Sequence, residues 1–192
     1  IMQLEKEQAI FKKERIRAER KIAASREDIE KTKRTKDCFI KDLEYITSYE
    51  GTKATMLLNL PQATAEEIGR ELHRISKTYR SGAYATIGTY AGLDLLVRSE
   101  YSITGVFERN TFFVAGLSGL KYPCGLSGAL PLGFVDASRY PQGALSKLPS
   151  LIEKQHKAVE RAENEIPVLQ DIVFSTKRWN GLKTKSPYYR TS

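Results

Sequence analysis

The sequence predicts an α+β protein: an antiparallel coiled-coil helical hairpin built from the two termini, with a small β-rich head that contains one amphipathic helix. Three observations predict it. Residues 1–49 contain neither Pro nor Gly and are rich in Glu, Lys, Arg, Ala and Ile, residues that helices accept or favour. Near the other end Ile152, Val159, Ile166 and Val173 recur every seventh residue, the spacing of a coiled-coil seam. Between these stretches Gly, Tyr and β-branched residues dominate, as strands and tight turns require. The expected domains are a long N-terminal helix (1–50), an α+β head (52–145), a C-terminal helix (146–180) and a basic tail (181–192).

The N-terminal seam is imperfect. Leu4, Phe11, Ala18, Ser25, Thr32, Phe39 and Ile46 form one column and Gln8, Arg15, Ile22, Ile29, Lys36 and Leu43 the offset one. The seam as a whole is apolar at both ends and polar near Ser25 to Lys36, which predicts one long helix open to interruption near Thr32–Lys36 and ended by Gly51. In the C-terminal seam Leu148, Gln155, Ala162 and Leu169 fill the offset column. Ser150 and Glu153 suit a capped start, and Pro167 is expected to kink or break the helix. Neither helix can bury its stripe alone, so pairing them is the economical solution.

In the head, Thr55–Leu60 reads as a short strand closed by Pro61. Thr64–Tyr79 reads as a helix, with Thr64 and Glu67 as a capping box and Ala65, Ile68, Leu72 and Ile75 as the buried stripe. Strands are expected at about Tyr84–Tyr90, Leu93–Ser99, Thr111–Ala115 and Lys121–Leu126, with an irregular stretch after Gly128.

The net charge of +8 is uneven. Residues 1–36 hold twelve Lys/Arg against seven Asp/Glu, and residues 177–192 hold five Lys/Arg and no acid. The middle is left slightly acidic. Paired helices would bring both basic blocks to one base, where counterion release attracts nucleic acid. Lys12, Lys13, Arg17, Arg20, Lys21, Lys33, Arg34, Lys177 and Arg178 are the expected contacts there. In the head, Arg70, Arg74, Lys77 and Arg80 lie at helical spacing, and Arg98, Arg109, Lys121 and Arg139 extend that patch. Tyr79, Tyr84, Tyr90, Tyr101, Phe107, Phe112, Phe113 and Tyr122 divide between core and exposed platforms on which bases stack. A plain solvated face accounts for the same cations, because acids are interleaved with them.

Catalytic patterns are weak. The stretch Gly82–Gly92 lacks the Gly-Lys-Ser/Thr of a phosphate-binding loop and does not lead from a strand into a helix. His73 and His156 have no nucleophile at recognisable spacing. Asp94, Glu100, Glu108 and Asp136 read as solvated acids. Cys38 and Cys124 lack CxxC partners, so no zinc, disulfide or other cofactor is expected, and the setting is read as reducing and cytoplasmic. No apolar run approaches the roughly 18 residues of a membrane span. The chain opens inside a helical pattern without a signal peptide, which suggests a piece of a longer polypeptide.

A resemblance adds to this. Ala65–Leu72 matches an acidic-Ala-Gly helix, and Ile87-Gly88-Thr89-Tyr90-Ala91-Gly92-Leu93 matches an Ile-Gly-x-Tyr-x-Gly-Phe/Leu strand pair. Phe113–Gly116 with Tyr122 resembles the next strand pair. Arg139, Ala144-Leu145 and Leu148-Pro149 then precede a helix ending near Leu169-Gln170-Asp171. This order of elements, residues 55 to about 182, resembles a region near the C-terminus of very large helicase–methylase proteins. These join Swi/Snf-like superfamily-two helicases to adenine-specific DNA methylases and are carried by bacterial conjugative elements, plasmids and phages. The loop Pro123–Pro141 departs from the pattern, and helicase and methylase motifs are absent. The resemblance therefore implies a role beside those activities.

The expected function is a non-catalytic, DNA-binding accessory domain, not itself an enzyme, attached to the remainder of a larger parent polypeptide. The alternative is a protein-interaction module that docks or dimerises through its coiled coil, with counter-defence on a mobile element as one use. No membrane partner is expected.

Overall fold

The computed structural model describes residues 2–125 and 129–184, with side chains over 5–125 and 129–175. The chain is α+β. Helix α1 spans Met2–Ser48, followed by β1 (Thr55–Leu57), α2 (Ala65–Thr78), β2 (Ala85–Tyr90) and β3 (Leu93–Tyr101). Then come β4 (Phe107–Ala115), β5 (Lys121–Pro123), α3 (Phe134–Ser138), α4 (Gln142–Leu145) and α5 (Leu148–Thr184). The five strands form an antiparallel meander in sequence order, β1-β2-β3-β4-β5.

Two compact units are present, Asp37–Ile152 and the described parts of Ile1–Lys36 with Glu153–Ser192. In the first, strand alternation divides the sheet into two faces. Leu95, Val97, Phe112 and Val114 are directly paired across β3 and β4 and fully or nearly fully buried. They share one core with Leu57, Leu72, Ile75, Leu145 and Leu148, and with Phe39, Leu43 and Ile46 from the end of α1. The α2 capping box forms as expected: Thr64 Oγ1 accepts from the Glu67 amide, and the Thr64 amide donates to the Glu67 carboxylate. That carboxylate is held below its usual pKa chiefly by the Thr64 amide. The buried stripe is Ile68, Gly69, Leu72 and Ile75, whereas Ala65, expected in it, is exposed in the first turn. Gly69 lies against the Phe134 backbone, where an added Cβ would fall 1.8 Å from the carbonyl oxygen. Only glycine lets α2 and α3 approach so closely.

Ala91 (φ 49°) and Gly92 (φ 74°) form the tight turn between β2 and β3, the left-handed pair that a two-residue hairpin demands. A residue inserted near Ile87 shifts the β2–β3 register between Thr86 and Gly88. This bulge turns the side chains N-terminal to it onto the opposite face.

In the other unit Ala18, Leu169 and Val173 are buried together, with Ile22 against them. Lys21 pairs with Glu165, and Lys33 Nζ lies 2.9 Å from Glu163 Oε1.

Several expectations are corrected. Helix α1 runs unbroken through Thr32–Lys36, where the Thr35 hydroxyl donates to the Lys31 carbonyl within the helical register. Helix α5 continues through Pro167; Pro167 and Glu163, whose carbonyl loses its helical donor, are both exposed residues, where water can replace the missing bond. Ser150 is not a cap, since α5 begins at Leu148 and the Ser150 hydroxyl donates to Lys147 O. Strand β4 starts at Phe107 rather than Thr111 because β3 offers a paired edge that far. The stretch expected to be irregular contains α3 and α4. Strand β5 ends at Pro123, and Leu126 lies outside the described residues.

Candidate nucleic-acid interface

The face of the sheet opposite that core carries the candidate site. Leu96 pairs with Phe113, Arg98 with Thr111 and Glu100 with Arg109 across β3 and β4. The bulge sets Thr86 opposite Leu96, so Tyr84, two residues earlier, stands on this outer face. Tyr84 meets Phe113 edge-on, with ring centroids 5.3 Å apart. The Arg98 guanidinium lies 5.1 Å from the Tyr84 centroid and 5.9 Å from that of Phe113. Lys121 Nζ, from β5, lies 4.9 Å from the Tyr84 centroid. Arg98 Nη1 also donates to the Tyr84 hydroxyl at 3.3 Å.

Two cations therefore share one electron-rich ring. Leu96 and Phe113 are buried beneath this cluster, while Tyr84 remains 40% exposed. Neither Arg98 nor Lys121 has a carboxylate within ion-pair distance among the described residues. Farther along the same face Glu100 is already engaged: Thr111 donates to Oε1 at 2.8 Å and Arg109 Nε to Oε2 at 2.6 Å. These contacts, with Thr111 the larger cause, hold the Glu100 carboxyl below its usual range. Its direct ion pair is with Arg109, and Arg98 adds a weaker attraction from farther away, without an ion-pair contact.

The other expected contacts are arranged differently. Arg70 pairs with Glu66 at 2.9 Å and lies over the Phe134 ring, and Arg74 forms a two-pronged pair with Glu71. Both cations of this helix face are therefore matched within α2. Arg80 sits 3.6 Å over the Phe107 ring, and Lys77 is exposed. Lys21 and Lys33 are paired with acids of α5, while Lys12, Lys13, Arg17, Arg20 and Arg34 project from α1 into solvent. The Lys177 and Arg178 side chains lie outside the described residues, as does the tail from 185 onward. His73 Nε2 lies 2.8 Å from the Pro131 carbonyl, which only accepts, so that nitrogen carries the proton. Among the described residues no three His, Cys, Asp or Glu side chains group to hold a metal. No described helix is long and apolar enough to cross a membrane.

Sequence reasoning missed Asp42. Its carboxylate is fully buried and accepts from the Ser118 amide (2.9 Å), the Ser118 hydroxyl (2.5 Å) and the Tyr122 hydroxyl (2.5 Å). This ties the end of α1 to the β4–β5 turn. Gly116 in that turn has no room for a side chain, since a Cβ would fall 2.1 Å from Asp42 Oδ2. The region held together by this network is also the region that a family model matches: residues 42–145 correspond to Domain of unknown function (DUF8438). The chain belongs to that family. The DUF8438 match takes in the whole sheet, helices α2 to α4 and the last turns of α1, and so includes Tyr84, Arg98, Phe113 and Lys121. No curated protein and no solved structure matches the chain.

Proposed function

We propose that the chain is a non-catalytic nucleic-acid-binding accessory domain and that the outer face of its sheet is the contact surface. The observation that carries this reading is the Tyr84–Arg98–Phe113–Lys121 cluster: an exposed ring beside two cations that form no ion-pair contact among the described residues. Cations of this kind take phosphates, and an exposed ring takes the face of a base. Because a base inside a duplex has both faces stacked, the ring favours strands with unpaired bases. The basic residues projecting from α1 add a sequence-independent attraction.

The terminal helices are read as an antiparallel coiled-coil hairpin. The order of contacts supports this, with Ala18 meeting Leu169 and Val173 while Lys33 meets Glu163. The resemblance to the helicase–methylase proteins supports a place beside a motor or methylase in a larger parent, with DNA as the polymer. Fluorescence anisotropy with labelled single-stranded and duplex oligonucleotides, titrated between about 50 and 200 mM salt, tests the reading. Binding that weakens steeply with salt is expected; folded protein that fails to bind at the low end overturns it.

A second reading is a protein-docking or dimerisation module. Ile10, Val168 and Phe174 are exposed apolar residues on the terminal helices and favour it. Sedimentation equilibrium separates the two, because docking between copies predicts a concentration-dependent mass.

A further inference from the structure

A cleft of about 560 Å³ opens beside β1, separate from the outer sheet face. Its walls are the segment leading into β1, the start of α2, and the turn between α3 and α4. Its volume falls in the roughly 300–1,000 Å³ range of small-molecule sites. Ala63, Ala65 and Ile68 supply an apolar wall, and Tyr90 lines it from the sheet. Tyr90 is only 9% exposed, and its hydroxyl, which has no protein hydrogen-bond partner among the described residues, keeps contact with solvent. Such a hydroxyl can exchange water for an acceptor on a ligand in the cleft. Burial pushes its pKa up, so the hydroxyl stays protonated and able to donate at neutral pH.

Two cations, Lys53 and Arg139, line the same cleft from opposite ends of the chain segment. Both are exposed, and neither has a carboxylate partner among the described residues. The Gln142 side-chain amide beside them is likewise unpartnered. The α2 N-terminus does not supply the anion site, because its own capping box occupies it. The walls are set before any ligand arrives: the Thr55 hydroxyl donates to the Ser138 carbonyl at 3.0 Å, and Gly69 seats α3 directly on α2. A preformed cleft with an apolar wall, one neutral donor and two free cations is complementary to one kind of molecule.

We propose that this cleft binds a small organic anion, with a flat apolar body against Ile68 and Tyr90 and a single carboxylate, sulfonate or phosphate between Lys53 and Arg139. The site is independent of the sheet-face reading, and neither assay informs the other.

Anilinonaphthalenesulfonate serves as the probe, titrated against the full chain by fluorescence, with uncharged phenylnaphthylamine as the control. One saturable site is expected. The Lys53→Ala/Arg139→Ala variant changes only exposed residues and is expected to weaken sulfonate binding by roughly a hundredfold, about tenfold per cation, while changing affinity for the neutral control less than about threefold. Tyr90→Phe keeps the ring and is expected to weaken sulfonate binding roughly threefold to tenfold. Sulfonate affinity that is unchanged in the double variant overturns the proposal. So does an equal loss for the neutral control, which would show that charge does not hold the ligand.

Discussion

The Tyr122 hydroxyl donates to Asp42 Oδ2 at 2.5 Å, and both side chains are buried. Residues 80 positions apart in the chain are thereby fixed together. The carboxylate also takes both donors of the half-buried Ser118, so three donors depend on one buried side chain. Asp42→Ala is expected to destabilise the protein by about 3 kcal/mol, because it strands those donors, and Tyr122→Phe by about 1 kcal/mol. In the Asp42→Ala background the Tyr122→Phe change is expected to cost little. Urea denaturation of the four proteins checks the cycle.

The same burial predicts sensitivity to alkali. The Tyr122 phenol is pushed well above the ordinary tyrosine pKa by burial and then by Asp42, and burial raises Tyr90 and Tyr140 as well. A folded pKa above the unfolded value means that the stabilising contribution is present below the unfolded pKa, about 10, and is lost as pH rises beyond it. Tyrosinate absorbance is expected to show these three titrating late and together with unfolding. Three late tyrosines ionising while the protein remains folded would contradict this.

The two cysteines should differ in reactivity. Both are free; Cys124 is buried, and burial pushes its thiol up to about 12, whereas Cys38 is half-buried. Because the thiolate is the reactive form, Cys124 is expected to resist iodoacetamide at neutral pH until the protein unfolds. Mass spectrometry of the labelled peptides in native buffer and in urea checks it.

The cations of the sheet face should be separable from those of α2. Arg98→Gln and Lys121→Gln are each expected to lower the salt dependence of oligonucleotide binding by about one unit of slope. Tyr84→Ala is expected to weaken binding of a single strand by about 1–3 kcal/mol. Arg74→Gln, which removes a cation already matched by Glu71, is expected to change affinity far less. Anisotropy titrations of these variants, each with its thermal melt, provide the comparison.

How much of this was legible in the sequence depended on the range of the cause. Helix α2 was legible because its cap, its stripe and its end lie within fifteen or so residues of one another. The strands around the β2–β3 turn were legible from glycine placement and β-branched residues. The two short helices after Gly133 were not, since each is held by neighbours from elsewhere in the chain, α3 by Gly69 and α4 by the sheet core. Asp42 reads as one more acid on a charged helix; its three donors lie 76 and 80 residues away. The sheet face was hidden by the bulge. Simple alternation puts Tyr84 and Tyr90, six residues apart, on the same face, but the inserted residue near Ile87 sends Tyr90 inward and Tyr84 outward. Arg98 and Lys121 were visible as cations, yet their meeting at Tyr84 depends on the pairing of three strands with β5 beside them.

Backbone amide chemical shifts of the labelled protein, followed during titration with a short oligonucleotide, test the central claim most directly. The outer-face account predicts the largest changes at Tyr84, Thr86, Arg98, Phe113 and Lys121, fading as salt is added. Changes confined to α2 around Arg70 and Arg74, or none in the sheet at saturating oligonucleotide, would contradict it.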